Sequence, residues 1–132
     1  MRIILADDQP KVRLGLRLLL EQEEWASVVG EAVEAESLLA LAEVAQPDLI
    51  LLDWSLQASA AVDLLPALRT HCPSLTVIVL SGQPGIEESA LEAGADAFVS
   101  KADPPEQLLA AICASTPAAL QGPPTQANKY GR

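Results

Sequence analysis

Aromatic side chains are scarce in this 132-residue chain: they make up 3% of it, although half of the residues are hydrophobic. A core without large rings must be built from Leu, Val, Ile and Ala, as in sheets and helices that pack through aliphatic faces. Basic residues are few as well, 8 against 18 acidic ones, which leaves a formal charge of −10. A surface of that sign repels nucleic-acid backbones and anionic lipid, so neither direct nucleic-acid binding nor membrane association is expected of this chain. The acidic residues all lie at or before Glu106, whereas Lys129 and Arg132 fall among the last few residues, so the folded part is more acidic than the whole. Cations and basic protein surfaces are its natural partners.

Long apolar runs are missing too. Asp7 and Asp8 break the N-terminal run before a signal-peptide core could form, and Arg17 interrupts the stretch 14–20. No segment approaches the ~20 apolar residues that span a bilayer, and a cytoplasmic domain is expected. Cys72 and Cys113 have no metal-ligand spacing and are expected to be reduced. His71 precedes Cys72 and Pro73 in a turn, where a phosphorelay histidine would instead need an exposed helix face, so it is given no role. Trp25 and Trp54 read as packing residues.

What is present is an alternation of short apolar runs with amphipathic stretches, within a length that suits one domain. Strands are expected at 3–6, 27–30, 49–52, 76–80 and 97–99, and helices at 12–22, 34–45, 62–70, 86–93 and 105–114. The runs are apolar on both faces rather than alternating, the mark of a parallel sheet covered on both sides. Five βα units imply an α/β fold with a doubly wound five-stranded parallel sheet. From Thr116 onward Pro, Gln, Gly, Ala and Asn replace the apolar periodicity, so the domain is expected to span 1–115 and a disordered tail or linker 116–132.

In open α/β sheets, ligands bind beyond the carboxyl ends of the strands. Asp7 and Asp8 follow the first strand, Asp53 ends the third, Ser81 follows the fourth, and Ser100-Lys101 follows the fifth. Three carboxylates brought to one rim repel one another and call for a cation. A hard divalent ion with oxygen ligands, Mg²⁺ above all, suits them and tends to share phosphate oxygens. Lys101 and the Ser81 hydroxyl supply donors for the equatorial oxygens of a phosphoryl group, and one aspartate is left as nucleophile. Each residue alone has an ordinary reading, as a solvated acidic turn, a strand-ending turn residue or a surface lysine. Their placement at one end of successive strands is what argues for a site.

At these residues the sequence resembles the receiver domain of bacterial two-component response regulators, from Met1 to about Ala114. The resemblance implies the (βα)5 flavodoxin-like fold, Mg²⁺ held by Asp7, Asp8, Asp53 and the Ser55 carbonyl, and phosphorylation of Asp53. Ser81 and Lys101 would contact the phosphoryl group, and Phe98 would turn inward when Ser81 is drawn to it. The runs Asp7-Asp8-Gln9-Pro10 and Lys101-Ala102-Asp103-Pro104 are similar to the family's, the first being close to regulators with helix-turn-helix output domains. A histidine kinase as donor, a homodimer on phosphorylation, transcription regulated through an output domain elsewhere, and no enzymatic activity beyond the domain's own phosphorylation and dephosphorylation are implied in the same way. The end of the chain reads either as a free-standing receiver or as one cut from a longer regulator. One departure is Gln57 to Ala61, where the family has Met-Pro and a later Gly, so this loop is expected to be looser or differently folded.

Three other readings use the same residues. A phosphohydrolase of the haloacid-dehalogenase type needs a second acid two residues after the nucleophile, where this chain has Ser55. A dinucleotide- or flavin-binding module needs a Gly- or Ser/Thr-rich cradle after the first strand, where two aspartates would repel phosphate. A degenerate receiver used only for docking would lack a site residue, and here each position is filled.

Overall fold

The computed structural model describes residues 1–121. Five strands, β1 (Arg2–Ala6), β2 (Ser27–Ala32), β3 (Leu49–Asp53), β4 (Thr76–Ser81) and β5 (Ala97–Ser100), form one parallel sheet in the order β2-β1-β3-β4-β5. Side chains that alternate along each strand enter two separate cores. Ile4, Ala6, Ile50, Leu52, Val77 and Val79 point to one face, against Leu38, Leu56, Leu64, Leu68 and Ala90 from helices α2 (Ala35–Ala45), α3 (Trp54–Ser59), α4 (Leu64–His71) and α5 (Glu87–Glu92). Ile3, Leu5, Leu49, Leu51, Ile78 and Leu80 point to the other, against Leu20 of α1 (Pro10–Glu21) and Leu108 and Ile112 of α6 (Pro105–Ser115). The doubly wound α/β arrangement is the one expected. It explains strands that are apolar on both faces.

Several boundaries differ from the expected ones for local reasons. Helix α1 starts at Pro10, two residues early, because a first-turn proline has no N–H to leave unsatisfied. Strand β2 runs on through Gly30 and Glu31 to Ala32, past a register shift opposite Ile3 and Ile4. A side chain at Gly30 would lie 2.7 Å from Leu41 Cδ2, so the glycine there serves the close approach of α2 and not a turn. Helix α3 follows Asp53 directly and takes in the first part of Gln57 to Ala61, the stretch expected to be looser or differently folded. Its chain then turns into α4, where the Leu64 N–H donates to Gln57 Oε1 at 2.8 Å, and α4 begins at Leu64 rather than at 62. His71 closes α4 instead of standing in the turn after it.

Contacts with α6 continue past residue 115. Thr116 is buried and its hydroxyl donates to the Ile112 carbonyl at 2.6 Å, and a 3-10 helix (Ala118–Gln121) follows. Gln121 Nε2 donates back to the carbonyls of Cys113 and Thr116, so residues 116–121 are docked on α6. The rest of the expected tail, 122–132, lies outside the described residues. Among the described residues, no helix is long and apolar enough to cross a membrane. Cys72 and Cys113 are both free thiols, and Cys72 is buried, where desolvation pushes its pKa up.

Candidate functional site

The strand order places β1 beside β3, the point at which the winding reverses and a crevice opens above the strand ends. Asp7 and Asp8 leave β1 there and Asp53 ends β3. One carboxylate oxygen from each of the three lies within 4.8 Å of the others. Asp7 is 1% exposed and Asp53 6%, whereas Asp8 stands in solvent. Ser81 at the end of β4 is buried beside them, and Lys101 reaches in from the end of β5. Asp8, Asp53, Ser55, Ser81 and Lys101 line one open cleft.

Backbone hydrogen bonds hold this rim in place. Asp7 Oδ1 accepts from the Gln9 N–H at 2.9 Å, which bends the chain into α1, and the Asp7 carbonyl accepts from Arg13 Nη1 at 2.7 Å. Ser81 Oγ accepts from the Gln83 N–H at 3.0 Å, and the Ser81 carbonyl from the Lys101 N–H at 2.9 Å, which ties the ends of β4 and β5 together at the rim. Asp53 caps α3: its Oδ1 accepts from the Ser55 N–H at 3.3 Å and its Oδ2 from the Ser55 hydroxyl at 2.7 Å.

Lys101 Nζ lies 2.8 Å from Asp7 Oδ2 and 3.4 Å from Asp53 Oδ1. Asp7 Oδ2 is fully buried and receives no aligned hydrogen bond; its compensation is the charge of that ammonium alone. An under-coordinated buried carboxylate oxygen, in a set of donors that is entirely oxygen, fits a hard divalent cation such as Mg²⁺. Asp7, Asp8 and Asp53 are the residues that would hold it. Ser55 touches the cluster through its N–H and hydroxyl, and those are the contacts its position shows.

The sequence-derived residues Asp7, Asp8, Asp53, Ser81 and Lys101 therefore meet. Phe98 does not join them: it is half-buried on β5, packed on the α5 side, and borders a shallow depression with Gly82, Pro84 and Leu91. Trp54 lines the cleft and packs on the core as well, and Trp25 packs beneath the other face. His71 sits at the surface, 3.8 Å from Glu43. Two side-chain contacts at the site escaped the sequence reading. Gln9 Oε1 accepts from Lys101 Nζ at 3.1 Å, and the Ser55 hydroxyl holds Asp53. Adjacency to the acidic pair was the available signal for the first; nothing short of the α3 turn reveals the second.

A parallel sheet in this order with this rim defines a family, and the comparisons agree. The model of the response regulator receiver domain matches residues 3–113, and the chain belongs to that family. Among curated relatives, it is 38% identical over 112 residues to the nitrate/nitrite response regulator protein NarL of Escherichia coli (strain K12), covering 83% of this chain and 52% of that one. It is 35% identical over 113 residues to the nitrate/nitrite response regulator protein NarP of the same strain, covering 84% and 53%. The chain thus spans about half the length of these curated relatives. A solved structure of the isolated REC domain of RcsB from Salmonella enterica serovar Typhimurium, in the presence of the phosphomimetic BeF3−, superposes with a TM-score of 0.74 at 30% identity, covering 91% of this chain and 95% of that one.

Proposed function

We propose that this receiver domain is a phosphorylation-controlled switch in two-component signalling, with Asp53 as the phosphoacceptor and a histidine kinase as donor. The observation that carries the reading is the position of Asp53: a nearly buried carboxylate at the mouth of the cleft, facing Lys101 and flanked by Asp7 and Asp8. An Asp53 oxygen bonds to phosphorus while the bond from phosphorus to the donor's imidazole nitrogen breaks, and the imidazole leaves with that electron pair. Lys101 and the Ser81 hydroxyl stabilise the equatorial oxygens, where charge must be met. Mg²⁺, when bound by Asp7, Asp8, Asp53 and the Ser55 carbonyl, supplies the countercharge that lets an anionic phosphoryl group approach three carboxylates. Water later cleaves the acyl phosphate, so the domain's own phosphorylation and dephosphorylation are its only chemistry.

In this reading Ser81 moves toward the phosphoryl group and Phe98 turns inward, altering the face made by α5, β5 and α6. That face pairs two copies of the domain, and a cytoplasmic regulator uses the pairing to control transcription through an output domain outside this sequence. Likeness to nitrate/nitrite response regulators supports it. The test is Asp53→Asn, whose amide is not a competent nucleophile. Acetyl phosphate with Mg²⁺ should add one phosphoryl mass to the wild type and none to the variant. Equal labelling of the two proteins overturns the assignment.

A further inference from the structure

The Gln9 side chain occupies the N-cap position of α1 yet makes no capping hydrogen bond. Its backbone is committed on both sides: the N–H donates to Asp7 Oδ1, the carbonyl accepts from Arg13 N–H at 3.1 Å, and Pro10 fixes the next φ. Only the side chain is free to choose a partner, and its carbonyl oxygen meets the ammonium of Lys101, a residue 92 positions away. Lys101 Nζ therefore faces three acceptors: the Asp7 and Asp53 carboxylates and the Gln9 amide.

The three differ in what a cation does to them. A divalent ion on the carboxylates would compete with Lys101 for their charge and repel the ammonium from them. The Gln9 carbonyl is neutral and carries no such conflict. We propose that Gln9 is a positioning residue for phosphoryl transfer: it keeps the Lys101 ammonium at the mouth of the cleft when metal takes the carboxylates, so that the lysine meets the incoming phosphoryl group without a search. This rests on the reading of the cleft as a Mg²⁺ and phosphoryl site.

The full chain has three lysines, Lys11, Lys101 and Lys129, so the side-chain ammonium signal of Lys101 can be assigned by nitrogen-15 NMR with Lys101→Arg as the reference. In the wild type, the Lys101 Nζ protons should exchange slowly both without metal and at saturating Mg²⁺. In Gln9→Leu, exchange should rise several-fold without metal and the signal should broaden away at saturating Mg²⁺, while Gln9→Glu, which keeps an acceptor, should retain it. Labelling of Asp53 by acetyl phosphate at saturating Mg²⁺ should slow roughly fivefold in Gln9→Leu, about 1 kcal/mol in the barrier, with an unchanged thermal midpoint because no helix cap is lost. Identical Nζ behaviour in wild type and Gln9→Leu, or loss of the wild-type signal when Mg²⁺ binds, overturns the role of Gln9. A chain whose Asp7, Asp8 and Asp53 amides ignore Mg²⁺ overturns the metal reading, and this inference with it, by a separate signal.

Discussion

At the scale of single residues, the site is a problem of excess negative charge solved twice. Three carboxylates share a space of a few ångströms, and one oxygen of Asp7 is buried with nothing but an ammonium to answer it. Burying charge without a partner is costly, so Lys101 is what lets the cluster exist without metal. A divalent ion should do the same more strongly, and binding to the folded state alone stabilises it by mass action. At Mg²⁺ ten times above its dissociation constant the gain is about 1.4 kcal/mol, which for a domain of this size raises the thermal midpoint by roughly 3–6 °C. Asp8→Ala, which removes the exposed member of the cluster, should flatten that rise. Calorimetry of both proteins across a Mg²⁺ series checks it; a wild-type midpoint indifferent to Mg²⁺ counts against the site.

At the scale of elements, two junctions hold the rim in shape. Glu31 of β2 is gripped by Arg13 and Arg17 of α1, with Nε to carboxylate distances of 2.8 Å from each arginine. The Arg17 hydrogen bond above all, with help from Arg13, keeps the Glu31 carboxyl below the usual glutamate range against the opposing effect of burial. A carboxyl lowered on folding adds stability above its unfolded value of about 4.3 and loses it as pH falls through the folded value. Glu31→Gln should therefore cost roughly 0.5 kcal/mol at pH 7, discounted for solvent screening, and the difference from wild type should close in urea melts carried below pH 4. The second junction is Gln57, whose side chain ties α3 to the first turn of α4. Gln57→Ala should leave the Leu64 amide unsatisfied at a cost of about 1 kcal/mol, seen as faster hydrogen exchange at Leu64. Neither junction is legible in the sequence. Helix α3 is six residues, too short for an apolar period to show, and its cap, Asp53, reads first as the end of a strand. Strand β2 continues two residues past the glycine at which it was expected to end, and Leu41 packs beneath that glycine. The long aliphatic runs at 49–52 and 76–80 had no such competitor, and they fall where expected in β3 and β4.

At the scale of the whole molecule, position along the strands does what no single residue could. Asp7, Asp53, Ser81 and Lys101 are each ordinary in the sequence and converge because a parallel sheet aims every strand the same way. That convergence was readable once the strands were placed, whereas contacts made by freely rotating side chains, such as Gln9 to Lys101, were not. The same scale decides how the switch can speak. Phosphorylating Asp53 replaces one negative charge by nearly two on a chain already at −10, so activation moves it further from any phosphate backbone. On the proposed reading, the output of this domain would pass through a protein surface. Ser81 is linked through its carbonyl to Lys101 and through its hydroxyl to Gln83, and Phe98 lies on β5 beside α5; on the proposed reading a shift of Ser81 would be felt along α5, β5 and α6. Beryllofluoride with Mg²⁺, standing in for the phosphoryl group, should change amide-exchange protection across residues 81–112 and strengthen self-association in sedimentation, and should leave α2 and β2 unchanged. No duplex should be retarded by this chain in a gel shift, with or without the mimic. Specific duplex binding would overturn the surface-only output, and unaltered exchange over 81–112 would overturn the route from Ser81 to Phe98.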